Sequence, residues 1–300
     1  MKSHPKVDSR FFNVVKEYDP DKIFILDLAI LDEAFAEEFS NIPIVWIDHH
    51  SPIKIPGVKY FNPRIENPSD ITCVSHLCYD VVKEHTPEDL WIAAAGIIGD
   101  WQLTKTTEEF SEKYPDLLPA SINRPEEALF GSPFSKLIKM MSFILKGRTQ
   151  DVMKCVKIIT RINSPYELLN GETPRSKFIV NRFEKINELY ESLLSFAMKK
   201  VSKSKLLVVS YTEEKMSFSG ELSNELLYRY PDKVILVGRE KSGEMKCSIR
   251  TGPGINLPKT LETALNGIDG YGGGHEHACG SCVKVADFKR FIKQLKEAIK

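Results

Sequence analysis

Six apolar residues at positions 42–47, Ile-Pro-Ile-Val-Trp-Ile, run without a break into Asp48-His49-His50. An unbroken apolar run of that length fits a strand buried on both faces, as strands of parallel sheets are. The pattern occurs once more upstream, where residues 22–26 (Lys-Ile-Phe-Ile-Leu) stop at Asp27. Between the two runs, residues 30–39 place Phe35 and Phe39 four apart, as on one face of an amphipathic helix. Strand, helix, strand implies a right-handed crossover and an α/β fold with a parallel sheet. In such sheets ligands collect outside the carboxyl ends of the strands, which is where Asp27 and Asp48-His49-His50 fall.

Residues 11–16 have helical spacing, and Asp19-Pro20-Asp21 is a turn. A loop at 62–69 feeds an expected helix over 70–84, and Pro87-Glu88-Asp89 opens the next, with acids where the helix dipole favours them. That helix is apolar nearly all round, so it is buried, and it delivers Asp100 at its far end. Residues 101–175 are helical and carry no readable motif; 176–200 form one long helical pattern. Strands at 206–210, 234–237 and 244–250 then alternate with helices at 219–230, 258–265 and 287–299. The expected division is a first domain over 1–175, a connecting helix over 176–202 and a smaller α/β domain over 203–300.

A hydrophobic fraction of 42% is ample for two cores, no apolar stretch approaches a membrane span, and no signal peptide opens the chain. Six scattered cysteines fit thiols in a reducing cytoplasm better than a disulfide scaffold. The net charge is zero but uneven: residues 1–100 hold 9 Lys/Arg against 17 Asp/Glu, and 151–300 hold 25 against 18. An acidic front suits cations and a basic back suits phosphates, while a neutral total argues against a tight grip on long duplex DNA.

Asp27 alone reads rather as a helix N-cap or salt-bridge partner, and Asp100 alone equally well as a C-terminal cap. Together with the imidazoles they make a mixed oxygen and nitrogen shell suited to Mn²⁺ rather than a thiolate zinc site. A divalent ion so held activates water and neutralises a phosphodiester. A second cluster is Gly272-Gly273-Gly274-His275 with Glu276-His277 behind it. Read as a loop, three glycines let the backbone approach a ligand and their amides form an anion nest, with His275 donating to a phosphate oxygen or stacking on a base. His277 is a weaker candidate for a metal. Arg250 ends an alternating strand just before Gly252-Pro253-Gly254 and offers a planar guanidinium to a phosphate, or is an ordinary surface arginine. Cys279 and Cys282 have C-x-x-C spacing without the setting of a redox motif or a second pair for zinc, so they read as free thiols.

The run ending Asp48-His49-His50, with Leu26-Asp27 before it and Gly96-Ile97-Ile98-Gly99-Asp100 after, resembles the DHH phosphoesterase domain. Gly272-Gly273-Gly274-His275, Ala278 and Gly280, preceded by Ser248-Ile249-Arg250, resemble its partner DHHA1 domain. The pairing occurs in RecJ-type exonucleases, NrnA-type oligoribonucleases and archaeal relatives. The resemblance implies a metal-dependent phosphodiesterase that hydrolyses single-stranded DNA or RNA, or short oligonucleotides, from an end. It implies two Mn²⁺ or Mg²⁺ ions, with Asp27 bridging and His49 and Asp100 as ligands. Asp48 would support the cluster and His50 would contact the scissile phosphate. Arg250, Gly272, Gly273, Gly274 and His275 would hold the substrate's terminal nucleotide.

One departure stands out. The family's first motif, His-x-Asp-x-Asp-Gly at the end of a strand, has only a partial counterpart in His4-Pro5-Lys6-Val7-Asp8, with Lys6 at the third position. Residues 4–8 lie too close to Asp27 for strand, crossover and strand, so they read as loop, and the chain reads as starting after that motif with an apolar sheet edge exposed. The alternative implied is a catalytically inactive relative resembling the replication factor Cdc45, binding nucleic acid or partners in a replication or repair complex.

Overall fold

A computed structural model of the protein describes residues 6–212 and 216–299. It divides into two compact units, with the boundary between Val180 and Asn181. In the first unit, strands β1 (Lys6–Val7), β2 (Ile23–Leu26), β3 (Ile30–Leu31), β4 (Ile44–Ile47) and β5 (Lys59–Phe61) all pair in parallel. β2, β4 and β5 form one sheet with β4 central, and β1 pairs with β3 separately. Lys6 and Val7 are therefore strand rather than loop; His4 lies outside the described residues.

Helices α1 (Phe12–Tyr18) and α2 (Glu33–Glu38) cover one face of this sheet. Ile25, Ile44 and Trp46 pack there with Phe35 and Phe39, and the Phe12, Phe35 and Phe39 rings meet at 5.0–6.1 Å. The alternate side chains point the other way, and Phe24 (61%), Leu26 (44%) and Phe61 (46%) are exposed. The outer strands are thus buried on one face, not on both as their composition suggests.

Two helices start later than their patterns predict. Ile30 and Leu31 pair with Lys6 and Val7, and the helix begins only after Asp32, whose carboxylate accepts from the Ala34 amide at 3.4 Å. Over 70–84 only α3 (Val74–Val82) is helical. Asp70 Oδ1 accepts from the Thr72 amide (2.8 Å) and hydroxyl (2.6 Å), a local turn that competes with helix. A single 3₁₀ turn at Pro87–Asp89 precedes α4 (Leu90–Gly99), in which Trp91, Ala94, Ile97 and Ile98 are fully buried. α3, α5 (Lys105–Lys113), α6 (Pro125–Phe130) and α7 (Ser135–Ile144) pack around α4; α8 (Thr149–Ile159) and α9 (Pro165–Asn170) complete the unit.

The long helix α10 (Pro174–Met198) carries the division between units within it. Its part in the second unit is no bare spacer: Phe183, Ile186, Tyr190, Leu194 and Ala197 are buried at helical spacing. The second unit holds strands β6 (Leu206–Thr212), β7 (Val234–Lys241), β8 (Glu244–Arg250), β9 (Gly270–His275) and β10 (Ala278–Lys284). They form one sheet, ordered β6-β7-β8-β10-β9, with only β6 and β7 parallel. Its helices are α11 (Ser219–Arg229), α12 (Leu257–Leu265) and α13 (Phe288–Ala298). Val234, Leu236, Met245 and Ile249 form one core with Leu261 of α12 and Phe291 and Leu295 of α13.

Candidate functional site

The parallel ladder runs one bond past each strand of the first unit. Asp27 N donates to Ile47 O and Asp48 N to Phe61 O, both at 3.0 Å. This sets Asp27 beside the start of Asp48-His49-His50 at the carboxyl ends of adjacent strands, as strand alternation predicts. Asp27 leaves β2 with φ 56°, a left-handed conformation that aspartate tolerates better than most residues. Ligand atoms of Asp27, His49 and His50 lie within 4.8 Å of one another, the one such group of three acids, imidazoles or thiols among the described residues.

His49 is the hub. Its Nε2 is 3.4 Å from Asp27 Oδ1, while its Nδ1 is 3.8 Å from Asp100 Oδ2 and 3.3 Å from the Ile71 carbonyl. Asp100 therefore approaches the ring from the nitrogen opposite Asp27. Burial raises the Asp100 pKa above the ordinary carboxylate value; His49 opposes that rise and Asp27 adds to it. Asp27 and His49 Nε2 come together as an oxygen and nitrogen pair that fits a hard divalent ion such as Mn²⁺ or Mg²⁺, whereas Asp100 stands at the other nitrogen, outside that group.

Asp48 does different work. It is wholly buried, and both its oxygens serve His50: Oδ1 lies 2.8 Å from His50 Nδ1 and Oδ2 accepts the His50 amide at 3.0 Å. The carboxylate fixes the ring and leaves Nε2 as the outward nitrogen. Asn62 supports the same turn from beneath, donating to His50 O at 3.0 Å and Tyr60 Oη at 2.7 Å, while its Oδ1 accepts from Arg64 N. In the sequence Asn62 precedes Pro63 and reads as a loop residue; only its burial reveals the support. Asp8 stands apart, its carboxylate gripping Arg10 at 2.7 and 2.8 Å.

In the second unit the glycine segment is a strand, not a loop. Residues 270–275 are β9, the edge of the sheet, paired antiparallel with β10, Gly273 opposite Gly280. Extended backbone lacks the alternating turn that converges amides into an anion nest. A Cβ at Gly272 would meet Gly280 O and Leu261 Cδ2 at 2.9 Å, and Gly274 has φ 151° with Ala278 O against it, so close packing requires both. Gly273 alone of the three faces open space. Gly272, Gly273 and Gly274 line a groove of 820 Å³ with Leu261, Glu262 and Tyr271. His275 is exposed at the end of β9, and His277 lies in the turn to β10 with its carbonyl bonded to Thr251 N at 3.1 Å.

Arg250 is half-buried rather than a surface residue, and burial lowers its pKa. Nε donates to Asn224 Oδ1 at 2.7 Å and Nη1 to Ile249 O at 2.9 Å, which orients the guanidinium plane. Cys279 and Cys282 are buried free thiols.

Residues 203–300 match the DHHA1 domain family. No curated protein matches the sequence. Among solved structures, RecJ from Thermus thermophilus in complex with Mn²⁺ matches 96% of this chain with a TM-score of 0.63 at 16% identity, and this chain spans about half (46%) of that protein. The DHH domain of a member of the s1p family of ribosomal proteins matches 99% of this chain and 75% of its own length, with a TM-score of 0.60 and 14% identity. A pGpG-specific phosphodiesterase from Vibrio cholerae matches 95% of this chain and 92% of its own, with a TM-score of 0.50 and 13% identity. The chain thus has the fold of the DHH-domain proteins and carries a DHHA1 domain over residues 203–300.

Proposed function

We propose that the protein is a metal-dependent phosphoesterase that hydrolyses single-stranded nucleic acid or short oligonucleotides from an end. The observation that carries this is the grouping of Asp27, His49 and His50 at the carboxyl ends of adjacent parallel strands, with Asp100 on the far side of the His49 ring. Asp27 and His49, through Nε2, would hold a divalent ion, and Asp100 would support the ring from its Nδ1 side. Bound there, the ion supplies Lewis-acid charge at a phosphoryl oxygen. His50, its Nδ1 engaged by buried Asp48, directs Nε2 outward to donate to a phosphate oxygen. Arg250, the backbone of Gly272 to Gly274 and His275 bind the substrate's terminal phosphate or nucleotide, Gly273 being the point where backbone meets open space. Solved structures of the same fold include RecJ bound to Mn²⁺ and a pGpG-specific phosphodiesterase, which agrees with this chemistry.

Mn²⁺-stimulated hydrolysis of an end-labelled single-stranded oligonucleotide, DNA and RNA in parallel, tests the proposal beside an Asp27→Ala variant. Loss of one to several orders of magnitude in the variant is expected; equal activity sinks the metal assignment. One observation favours a second reading. Asp8, the acid nearest the expected first motif, is bound to Arg10 instead of joining the Asp27 group. Oligonucleotide binding without any Mn²⁺-stimulated hydrolysis would identify a binding protein of a replication or repair complex.

A further inference from the structure

Gln102 sits two residues beyond Asp100, and its side-chain amide clamps a distant segment at both ends. Its Oε1 accepts from Cys73 N at 3.1 Å, and its Nε2 donates to the Ile71 carbonyl at 2.5 Å. That same carbonyl oxygen lies 3.3 Å from His49 Nδ1, nearer than Asp100 Oδ2 at 3.8 Å. One carbonyl therefore links Gln102 to the hub imidazole.

The end of α4 is built to make this possible. Trp101 N donates to Ile98 O at 3.0 Å and Gln102 N to Ile97 O at 3.1 Å, the paired bonds of a Schellman C-cap. The left-handed position of that cap, usually glycine, is occupied by Trp101 at φ 60°. For a bulky side chain this conformation costs on the order of 1–2 kcal/mol. The turn sends Asp100 and Gln102 back towards His49 from a single helix end. A local rule broken where two polar side chains are delivered to one ring marks a position under functional constraint.

We propose that Gln102 is a positioning residue for His49, a role that rests on Asp27 and His49 being metal ligands. By holding the 71–73 segment, Gln102 fixes the Ile71 carbonyl where it accepts the His49 Nδ1 proton. The ring is then confined to one tautomer and one orientation, with the Nε2 lone pair available to a cation shared with Asp27. Metal-ligating histidines are commonly fixed through the second nitrogen in this way, and loss of such a partner weakens metal binding 10- to 100-fold. A lone glutamine after an acid carries no motif, and a carbonyl contributed by isoleucine is invisible in sequence.

The test compares the full-length wild type with Gln102→Ala and with Gln102→Glu, which is nearly isosteric and keeps the Cys73 bond while losing the donor to Ile71. Imidazole ¹⁵N spectra of the metal-free chains, at a pH where the ring is neutral, report the His49 tautomer; titration with Mn²⁺ alone reports affinity. The wild type is expected to hold His49 with its proton on Nδ1. Both variants should mix the tautomers and bind Mn²⁺ about 10- to 100-fold more weakly. An unchanged tautomer in both variants overturns the role of Gln102 even if the wild type binds Mn²⁺ well. A wild type that binds no Mn²⁺ overturns the metal assignment instead, and the ring spectra still show whether the clamp on His49 exists.

Discussion

Gly96, one turn before Asp100, faces Ser75 of α3 across a close helix–helix contact. A Cβ there would collide with Ser75 Oγ and lie 2.8 Å from Ser75 Cβ. Rotation about χ1 can move the hydroxyl away, but the Ser75 Cβ moves only with its backbone. Gly96→Ala gains about 1 kcal/mol in helix propensity. Forcing the helices apart costs about 1–3 kcal/mol, and a contact fixed to backbone belongs in the upper half of that range. The expected net loss is therefore about 1–2 kcal/mol. Ser75→Gly removes both opposing atoms, so in that background Gly96→Ala should become stabilising by about 1 kcal/mol. All three tryptophans, Trp46, Trp91 and Trp101, lie in the first unit, so their fluorescence in urea follows this unit's unfolding alone. The four chains of the double-mutant cycle then give the coupling directly. An equal cost for Gly96→Ala in the two backgrounds would refute the close approach as the reason for glycine.

Two further outcomes concern polar contacts. Tyr190 donates to the buried carboxylate of Glu225 at 2.6 Å, and burial beside that carboxylate raises its pKa, so the hydroxyl stays protonated. Tyr190→Phe should cost about 1.5–3 kcal/mol, the range for a bond to a charged group; a second-unit urea transition, followed by circular dichroism, that does not move would refute this. Asp8 is held down to about 2 by its hydrogen bonds and ion pair with Arg10. Because the folded value lies below the unfolded value of about 3.9, the pair's contribution is present above that pH and lost as pH falls through about 2. The carboxyl ¹³C titration of Asp8 should show that low midpoint, and Arg10→Ala should return it to the ordinary range; an unmoved midpoint removes Arg10 as the cause.

The parallel pairing of β2 with β4, helix α4 and the grouping of Asp27 with Asp48-His49-His50 were legible because they depend on periodicity and on which end of a strand an acid occupies. The errors share a cause. Residues 270–275 look like a loop because glycine carries no strand propensity, yet Gly272 and Gly274 are glycine because β10 and α12 leave no room for a side chain. Residues 30–39 look like one helix because Phe35 and Phe39 dominate the pattern, while β1, two residues long and far upstream, recruits Ile30 and Leu31 into pairing. In the first case packing against the adjoining hairpin strand and α12 overrides the local preference, and in the second a contact distant in sequence does.

The two adjacent histidines have different environments. Their rings stand nearly perpendicular, at 79° with centroids 4.8 Å apart. His49 is flanked by Asp27, Asp100 and a carbonyl, all of which suit an imidazole that coordinates a cation. His50 has Nδ1 against the Asp48 carboxylate, which has no solvent exposure, so the ring is held with Nε2 outward. Asp48 is wholly buried and turns both oxygens to His50, one to its amide and one to Nδ1. On the proposed function the tripeptide separates two tasks by geometry: one imidazole would meet a cation beside Asp27, and the other, held by a buried anion, would meet a phosphate.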